Sequence, residues 1–206
     1  MQYTVFETPV IRSILRGVSW ACLKLAGWRV DGSLPDRPKY IVIMAYHTSN
    51  WDFVIGVFAA FVLKANAYWI GKDSLFRAPL GSLFRWIGGI PINRRQSQNM
   101  VSQIVRVFQE RERLVIAVAP EGTRAKVPYW KTGFYHIALG ARVPIVLAFI
   151  DYRRKMCGIG PTMIPTGSIE ADMRKISAYY ANVTGRYPEK MSPPEVRPAS
   201  LRKTGS

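Results

Sequence analysis

The sequence predicts one α/β domain, with a mainly parallel mixed sheet covered by helices. Two observations support this fold class. Short apolar runs rich in β-branched residues recur along the chain, and segments with helical spacing lie between them. Strands that are apolar along their whole length are typical of parallel sheets, because both faces of such sheets are buried. The length of 206 residues suits a single domain with a sizeable core.

The predicted strands and helices alternate along most of the chain. The strands are the runs 39–46 (KYIVIMAY), 67–71 (AYWIG), 89–93 (GIPIN), 114–119 (LVIAVA) and 144–150 (PIVLAFI). The helices are predicted over 50–64, 74–87, 96–112, 132–140 and 169–184. Thr48, Ser49 or Asn50 can cap the first of these helices, and Pro79 is expected to bend or break the second.

Residues 1–30 are predicted to precede the domain as an amphipathic membrane-surface helix over 9–29. On a helical wheel most of its apolar residues cluster on one side and most of its basic and small polar residues on the other. Trp20 lies within the polar arc, which suits a membrane interface. A basic amphipathic helix with Trp is typical of an interfacial anchor. A terminal helix packed on its own domain has the same pattern, so both interpretations remain open here.

The alternating strands and helices assign residues 31–184 to the α/β domain. Residues 185–206, which follow the last predicted helix, are assigned to a Pro-rich basic tail. The tail is predicted to be loosely attached, because it has four prolines and little apolar content. The longest apolar run, 53–63, is too short to span a bilayer, and the N-terminus lacks the pattern of a signal peptide. Cys22 and Cys157 show no metal-ligand spacing, so a reducing compartment is expected.

The charge of the chain indicates an anionic partner. Lys and Arg number 29 against 13 Asp and Glu, which gives a net charge of +16. Anionic lipid, phosphorylated metabolites, an acidic carrier protein and nucleic acid all fit this sign. Nucleic acid is not expected, because the arginines are scattered among strand ends instead of lining one helix or stripe.

Three polar clusters directly follow predicted strands. They are 47–52 (HTSNWD), 93–95 (NRR) and 121–124 (EGTR). Ligands of parallel α/β sheets gather at the carboxyl ends of the strands. The sequence therefore predicts a functional site at that edge of the sheet.

His47 and Asp52 are the candidate acid–base pair. On one regular helix they would point about 140° apart, so we expect His47 on the loop and Asp52 in the first helical turn. Asp52 would then accept the N–H of one ring nitrogen and leave the other basic, as general-base activation of a hydroxyl requires. The alternative is a strand-end residue followed by a helix N-terminal charge. His136 lies mid-helix and is expected to be structural.

The EGTR cluster is a candidate anion site. Gly122 lets the backbone approach a ligand closely, and Arg124 offers a planar fork for phosphate or carboxylate. Arg94, which arrives from a different strand, would complete a two-point anion clamp. The alternative is a solvent-facing loop whose arginines serve solubility.

At these residues the chain resembles the glycerolipid acyltransferases, the 1-acylglycerol-3-phosphate acyltransferase family. HTSNWD matches that family's first block, H-x-x-x-x-D, and GIPINR stands where the second block should be. PEGTR matches the third block, and VPIV over 143–146 matches the fourth. The four blocks occur in the family's order.

The resemblance implies an acyltransferase in which His47 is the general base and Asp52 holds and polarises it. The deprotonated hydroxyl would attack an acyl-CoA or acyl-carrier-protein thioester. The substrate-binding positions implied by the second and third blocks are Arg94, Glu121, Gly122, Thr123 and Arg124. No metal and no redox cofactor are implied, since the acyl thioester is itself a substrate.

The acceptor is less well specified than the reaction. Asn93, Ala119 and Leu147 depart from the family's usual residues in the second, third and fourth blocks. The default acceptor is 1-acylglycerol-3-phosphate, which would give phosphatidate, and an amino-acid lyso-lipid or another acceptor is the alternative. A protein that merely binds anionic lipid or nucleic acid is the third hypothesis. The expected location is peripheral, on the cytoplasmic face of the membrane, with the acyl carrier, the lysophospholipid and the anionic lipid surface as partners.

Overall fold

The described part of the chain forms one seven-stranded sheet in a computed structural model that describes residues 4–92 and 100–198. The strands are β1 (Arg29–Asp31), β2 (Lys39–Ala45), β3 (Tyr68–Lys72), β4 (Gly89–Ile92), β5 (Leu114–Val118), β6 (Ile145–Asp151) and β7 (Met156–Met163). Their spatial order is β1-β7-β6-β2-β5-β3-β4. Every neighbouring pair is parallel except β6 and β7. The predicted mainly parallel mixed sheet is confirmed.

Helices cover both faces of this sheet. They are α1 (Pro9–Leu25), α2 (Trp51–Val62), α3 (Gly81–Trp86), α4 (Met100–Glu110), α5 (Gly133–Ala141) and α6 (Ile169–Tyr180). Ile41 and Ile43 of β2 point to the face where α4, α5 and α6 supply the main core. Tyr40 and Val42 point to the opposite face. Strand β2 is fourth of the seven strands in the sheet, and its side chains are buried on both faces.

Strands β1 and β7 were missed by the sequence analysis. Strand β1 has only three residues, and β7 contains Gly158, Gly160 and Pro161, which resemble strand breakers. The glycine at 158 has a packing reason, because a Cβ there would clash with the backbone carbonyl of Asp31. The close approach of the β1 and β7 backbones thus requires a glycine, a residue that in sequence is more typical of a loop than of a strand.

The helix predicted over 74–87 is broken, as expected from Pro79. A 3-10 turn covers Asp73–Phe76, and α3 begins only at Gly81. The predicted start of the next helix, at residue 96, lies outside the described residues, and α4 is described from Met100.

The prediction of a loosely attached C-terminal tail is wrong for residues 185–198. The backbone N–H of Trp130 donates to the Glu195 carbonyl at 2.9 Å, and its indole N–H donates to the Ser192 carbonyl at 3.1 Å. Ser192 is buried and its hydroxyl accepts the N–H of Val127 at 3.0 Å. Proline-rich backbone retains its carbonyl acceptors, so it docks by accepting hydrogen bonds without forming a strand or helix.

Helix α1 presents its apolar side to solvent. Val10, Ile14, Val18 and Leu25 are 71%, 60%, 49% and 89% exposed, respectively. The helix contacts the domain through other positions, since Leu23 packs against α2 and β6. The helix is therefore packed on its own domain through one set of positions, while most of its apolar side remains exposed. Within the described residues, no helix combines the length and apolar character needed to cross a bilayer.

Candidate active site

The carboxyl ends of β2 and β5 bring two of the predicted polar clusters together. These strands are parallel neighbours, so the residues that follow them meet at one edge of the sheet. The backbone N–H of His47 donates to Oε1 of Glu121 at 3.0 Å, across 74 residues of sequence. The cluster at 93–95, with Arg94, lies outside the described residues.

His47 and Asp52 have the placement expected from their spacing. His47 lies on the loop after β2, and Asp52 lies in the first turn of α2. Nδ1 of His47 is 3.6 Å from Oδ2 of Asp52, and this buried nitrogen forms no hydrogen bond. Catalytic hydrogen bonds of unliganded enzymes are often long and tighten when substrate binds. The two side chains are therefore positioned for the expected hydrogen bond, but at 3.6 Å the bond between Nδ1 and Oδ2 is not formed.

The Asp52 carboxylate is fixed on both of its oxygens. Oδ2 accepts the backbone N–H groups of Thr48 and Ser49, each at 2.7 Å. Oδ1 accepts the phenol of Tyr152 at 2.6 Å. Asp52 is 1% exposed, so these donors replace water around a buried carboxylate. The loop and helix are thereby locked in the conformation that presents Oδ2 to His47.

Tyr152 is a site residue that the sequence analysis missed. It follows directly after β6, which is the other parallel neighbour of β2. Its backbone N–H donates to the carbonyl of Thr184 at 2.9 Å, which fixes its position. The rule that found His47 and Glu121, polar residues at the carboxyl ends of strands, would also have found this tyrosine.

The surroundings of His47 favour a neutral imidazole. Burial lowers the pKa of His47, the positive charge of Arg124 lowers it further, and the charge of Asp52 partly offsets both. A neutral ring with one nitrogen facing a carboxylate can accept a proton at its other nitrogen. The other histidine, His136, is exposed on α5 and contacts the Tyr135 ring edge-on, with 6.0 Å between ring centroids.

Glu121 lies beneath the His47 loop instead of on the surface. Its side chain is 2% exposed, and Oε2 has no hydrogen-bond partner. Burial raises the pKa of Glu121 to about 7, and the nearby charge of Asp52 also raises it. A carboxyl group with this pKa is largely protonated in weakly acidic solution and about half ionised at pH 7, so its negative charge beside the imidazole depends on pH.

The rest of the EGTR cluster forms an exposed turn. Gly122 has φ +65°, and a Cβ there would come within 2.9 Å of the Lys131 ammonium nitrogen. The Thr123 hydroxyl accepts the N–H of Ala125 at 3.3 Å. Arg124 is exposed, yet it is close enough to act on the pKa of His47. Its guanidinium is thus available to an anion that approaches the imidazole.

Arg186 is a second cation at this edge, and the sequence analysis missed it because it lies in the Pro-rich segment. Its guanidinium carbon is 5.9 Å from the ring centroids of Trp51 and Tyr152 and 5.7 Å from that of Tyr187. The backbone N–H of Tyr187 donates to the Thr48 hydroxyl at 3.3 Å, which ties this segment to the His47 loop.

Comparison with known proteins identifies the family. Residues 29–150 match the family model described as Acyltransferase. The chain is 28% identical to the 1-acyl-sn-glycerol-3-phosphate acyltransferase of Haemophilus influenzae over 178 residues, which are 75% of this chain and 72% of that protein. It is 31% identical to the protein of the same name from Escherichia coli over 133 residues, which are 59% of this chain and 52% of that protein. The chain therefore spans about half the length of the second relative.

The fold is also found in a solved structure. The 1-acyl-sn-glycerophosphate (LPA) acyltransferase from Thermotoga maritima superimposes with a TM-score of 0.58 at 18% sequence identity. The superposition covers 81% of this chain and 74% of the other. The family match begins at β1, extends into β6, and includes the loops that carry His47 and Glu121. The chain belongs to the Acyltransferase family and is an acyltransferase.

Proposed function

We propose that this acyltransferase moves a fatty acyl group from an acyl-CoA or acyl-carrier-protein thioester to the hydroxyl of a lysophospholipid. The default acceptor is 1-acylglycerol-3-phosphate, and the product is then phosphatidate. The observation that carries the proposal is the His47–Asp52 pair, in which a neutral imidazole faces a buried and fully hydrogen-bonded carboxylate. The names of the relatives support the choice of acceptor.

His47 acts as the general base in this proposal. Its Nδ1 is buried toward Asp52, so Nε2 is the nitrogen that meets the acceptor hydroxyl. Nε2 takes the hydroxyl proton as the oxygen attacks the thioester carbonyl carbon. The carbon–sulfur bond then breaks, and the departing thiolate takes the proton from the imidazolium, so an ester and a free thiol result. Asp52 stabilises the imidazolium between the two proton transfers. This sequence requires no metal and no redox cofactor.

The EGTR turn is the proposed site for the acceptor phosphate. Arg124 is exposed and lies close enough to His47 to lower the pKa of the imidazole. A phosphate bound to this guanidinium would hold the acceptor hydroxyl near Nε2. Gly122 and Thr123 shape the turn, Glu121 supports the His47 loop, and Arg94 is proposed as the second cation.

An apolar cavity beside α2 is the proposed site for the acyl chain. Phe53, which follows Asp52 in sequence, is one of its walls, so the cavity begins next to the candidate base. Its other walls come from α2 and from the facing strands, and they include Val42, Met44, Val57, Ala60 and Ala117. Apolar walls of this kind suit a hydrocarbon chain and offer little to a polar ligand.

The proposal also places the protein on the cytoplasmic face of a membrane, as a peripheral enzyme. The apolar side of α1 is exposed, and Lys24 lies 4.6 Å from the ring centroid of the exposed Trp20. Exposed apolar residues flanked by basic ones are typical of helices that lie in the headgroup region. The net charge of +16 would favour an anionic lipid surface.

Thiol release tests the reaction and the base together. Palmitoyl-CoA and an acyl-carrier-protein thioester would each be offered with lysophosphatidate to wild type, His47→Ala and the control His136→Ala. We expect release that requires the acceptor, that disappears in His47→Ala, and that persists in His136→Ala. The opposite result for the two histidine variants would contradict the assignment of the base. If the wild type releases no thiol with either donor, lysophosphatidate is excluded as the acceptor. A panel of other lyso-lipids would then identify the acceptor.

A further inference from the structure

A groove of about 510 Å³ lies between α1 and α2, apart from the acyl cavity. This volume is in the range of small-molecule sites. Cys22 and Leu23 line it from α1, and Val54 and Phe58 line it from α2. The groove is therefore apolar along both helices.

One end of this groove is cationic. Arg186 and Tyr152 lie at this end, and the exposed guanidinium of Arg186 contacts the rings of Trp51, Tyr152 and Tyr187. Within residues 4–92 and 100–198, no carboxylate forms an ion pair with Arg186. Its hydrogen-bond partners are the neutral hydroxyls of Tyr187 and Tyr152, so the positive charge of the guanidinium is not neutralised and can attract an anion.

The cationic end lies beside Asp52, the carboxylate partner of the candidate base. Trp51 precedes Asp52 in sequence, and Tyr152 donates its hydroxyl to Asp52 at 2.6 Å. A ligand group on Arg186 is thus next to the carboxylate that faces His47. The groove thus joins an anion position beside the Asp52 carboxylate to an apolar channel.

The other wall of the groove belongs to the helix whose apolar side is exposed. Cys22 lies one turn after Val18 on α1, and both are exposed. An amphiphile held in a membrane by α1 could therefore enter the groove from the side, with its chain leading into the lipid.

We propose that this groove binds the lyso-lipid acceptor, with the acyl chain between α1 and α2 and the phosphate on Arg186. The inference rests on the proposed function and adds Arg186 to the two phosphate-binding residues proposed there, Arg124 and Arg94. The chemistry of the groove supports this occupant, because an apolar channel that ends in a cation without a carboxylate partner among the described residues is complementary to a single-chain phosphate amphiphile. Acyl-CoA also carries phosphates, so the test separates acceptor from donor.

Kinetics with each substrate varied in turn form the first arm. Arg186→Ala is compared with Arg174→Ala, which removes the same charge from the exposed face of α6. We expect the KM for lysophosphatidate to rise about tenfold or more in Arg186→Ala, the size of one lost charge-assisted contact. The KM for the thioester should stay within twofold of the wild-type value. For Arg186→Lys, the KM for lysophosphatidate should lie between those of the wild type and Arg186→Ala. A rise confined to the thioester, an equal rise in both constants, or no change in the acceptor constant would each overturn the proposal.

Alkylation of Cys22 forms a second arm that needs no turnover. Cys22 is exposed in the groove and Cys157 is completely buried, so N-ethylmaleimide should label Cys22 selectively. In neutral detergent micelles, we expect lysophosphatidate to slow the labelling several-fold more than monoacylglycerol of the same chain length. Arg186→Ala should abolish that difference.

The two arms separate failure of this inference from failure of the proposed function. Protection of Cys22 without acyl transfer to lysophosphatidate would keep the groove as a site for phosphate amphiphiles and overturn the reaction. Transfer without selective protection would keep the reaction and overturn the groove. Equal protection by both lipids would likewise overturn the role of Arg186.

Discussion

The phenol of Tyr152 donates to Oδ1 of Asp52 at 2.6 Å, across 100 residues of sequence. The other carboxylate oxygen accepts two backbone N–H groups and faces Nδ1 of His47. Tyr152 therefore sets the orientation of the carboxylate without touching the imidazole. Its position at the end of β6, beside β2, makes the geometry of the pair depend on the packing of the central strands.

Tyr152→Phe should lower kcat while preserving the KM for both substrates within about twofold. The substitution leaves Oδ1 of Asp52 without its side-chain donor and keeps the aromatic ring. Loss of a hydrogen bond to a buried charge costs about 2 kcal/mol, and we expect a fall in kcat of about thirtyfold. Steady-state kinetics across pH would show the fall in kcat. The acidic limb of the pH profile of kcat should also shift, because the carboxylate that faces His47 is reoriented. An unchanged kcat would show that the two backbone donors suffice.

Arg124→Ala should raise the pKa of His47. The charge of Arg124 lowers the pKa of the imidazole, after the larger effect of burial, so its removal makes protonation easier. The acidic limb of kcat/KM should then move to higher pH. Because the chain has two histidines, NMR titration of the ring protons would show two signals, and His136 is the internal control. Equal titration of His47 in both proteins would place Arg124 too far away to act on it.

Glu121→Gln should make the protein more stable above pH 7. The folded state raises the pKa of Glu121 to about 7 from an ordinary value of 4.5, so it holds a proton that the unfolded chain releases. The resulting stability is complete below pH 4.5 and is lost as the pH rises through 7. At about 1.4 kcal/mol for each pH unit between these values, the loss approaches roughly 3 kcal/mol.

Chemical denaturation of both proteins at pH 5 and pH 8 would measure this difference. Glutamine keeps an oxygen that can accept the His47 N–H, so the loop contact at 3.0 Å should survive. We expect the variant to gain stability relative to wild type on going from pH 5 to pH 8. A constant difference between the two proteins would show that Glu121 titrates normally.

Ile14→Glu and Val18→Glu should weaken vesicle binding without unfolding the protein. Both side chains are exposed on α1, so their replacement removes no core contact. A buried charge in the headgroup region opposes binding, and we expect affinity for anionic vesicles to fall about tenfold for each. Vesicle sedimentation with a thermal melt would check this, and Ser13→Glu is the matched control because it adds the same charge at an exposed position on the polar side of α1. Unchanged sedimentation of both variants would show that the protein contacts the membrane through a surface other than α1.

Ala117→Leu should shift donor preference toward shorter acyl chains. Ala117 lies on β5 and lines the apolar cavity beside α2, so a larger side chain fills space there. We expect kcat/KM to fall for a palmitoyl thioester and to change little for a hexanoyl thioester. Competition between the two donors, with thiol release and product mass as readouts, would measure the ratio. An equal loss for both would place the acyl chain elsewhere.

The sequence alone predicted the fold class and the position of the site. Apolar runs such as that over β2 require a sheet buried on both faces, and polar residues after them have to collect at one edge. The spacing of His47 and Asp52 was also sufficient to place one on the loop and the other on the helix. These properties are local, because periodicity and chain direction depend on residues that are close in sequence.

The tertiary structure alone decided which distant residues complete the site. Tyr152 reaches Asp52, and Arg186 reaches the same edge through a Pro-rich segment whose backbone has no local pattern to reveal its docking. The orientation of α1 was undecided for the same reason, because amphipathicity defines an apolar side without its partner. Such contacts depend on the packing of elements separated by many residues, and it is this packing that buried Asp52 and left Val10 and Leu25 exposed.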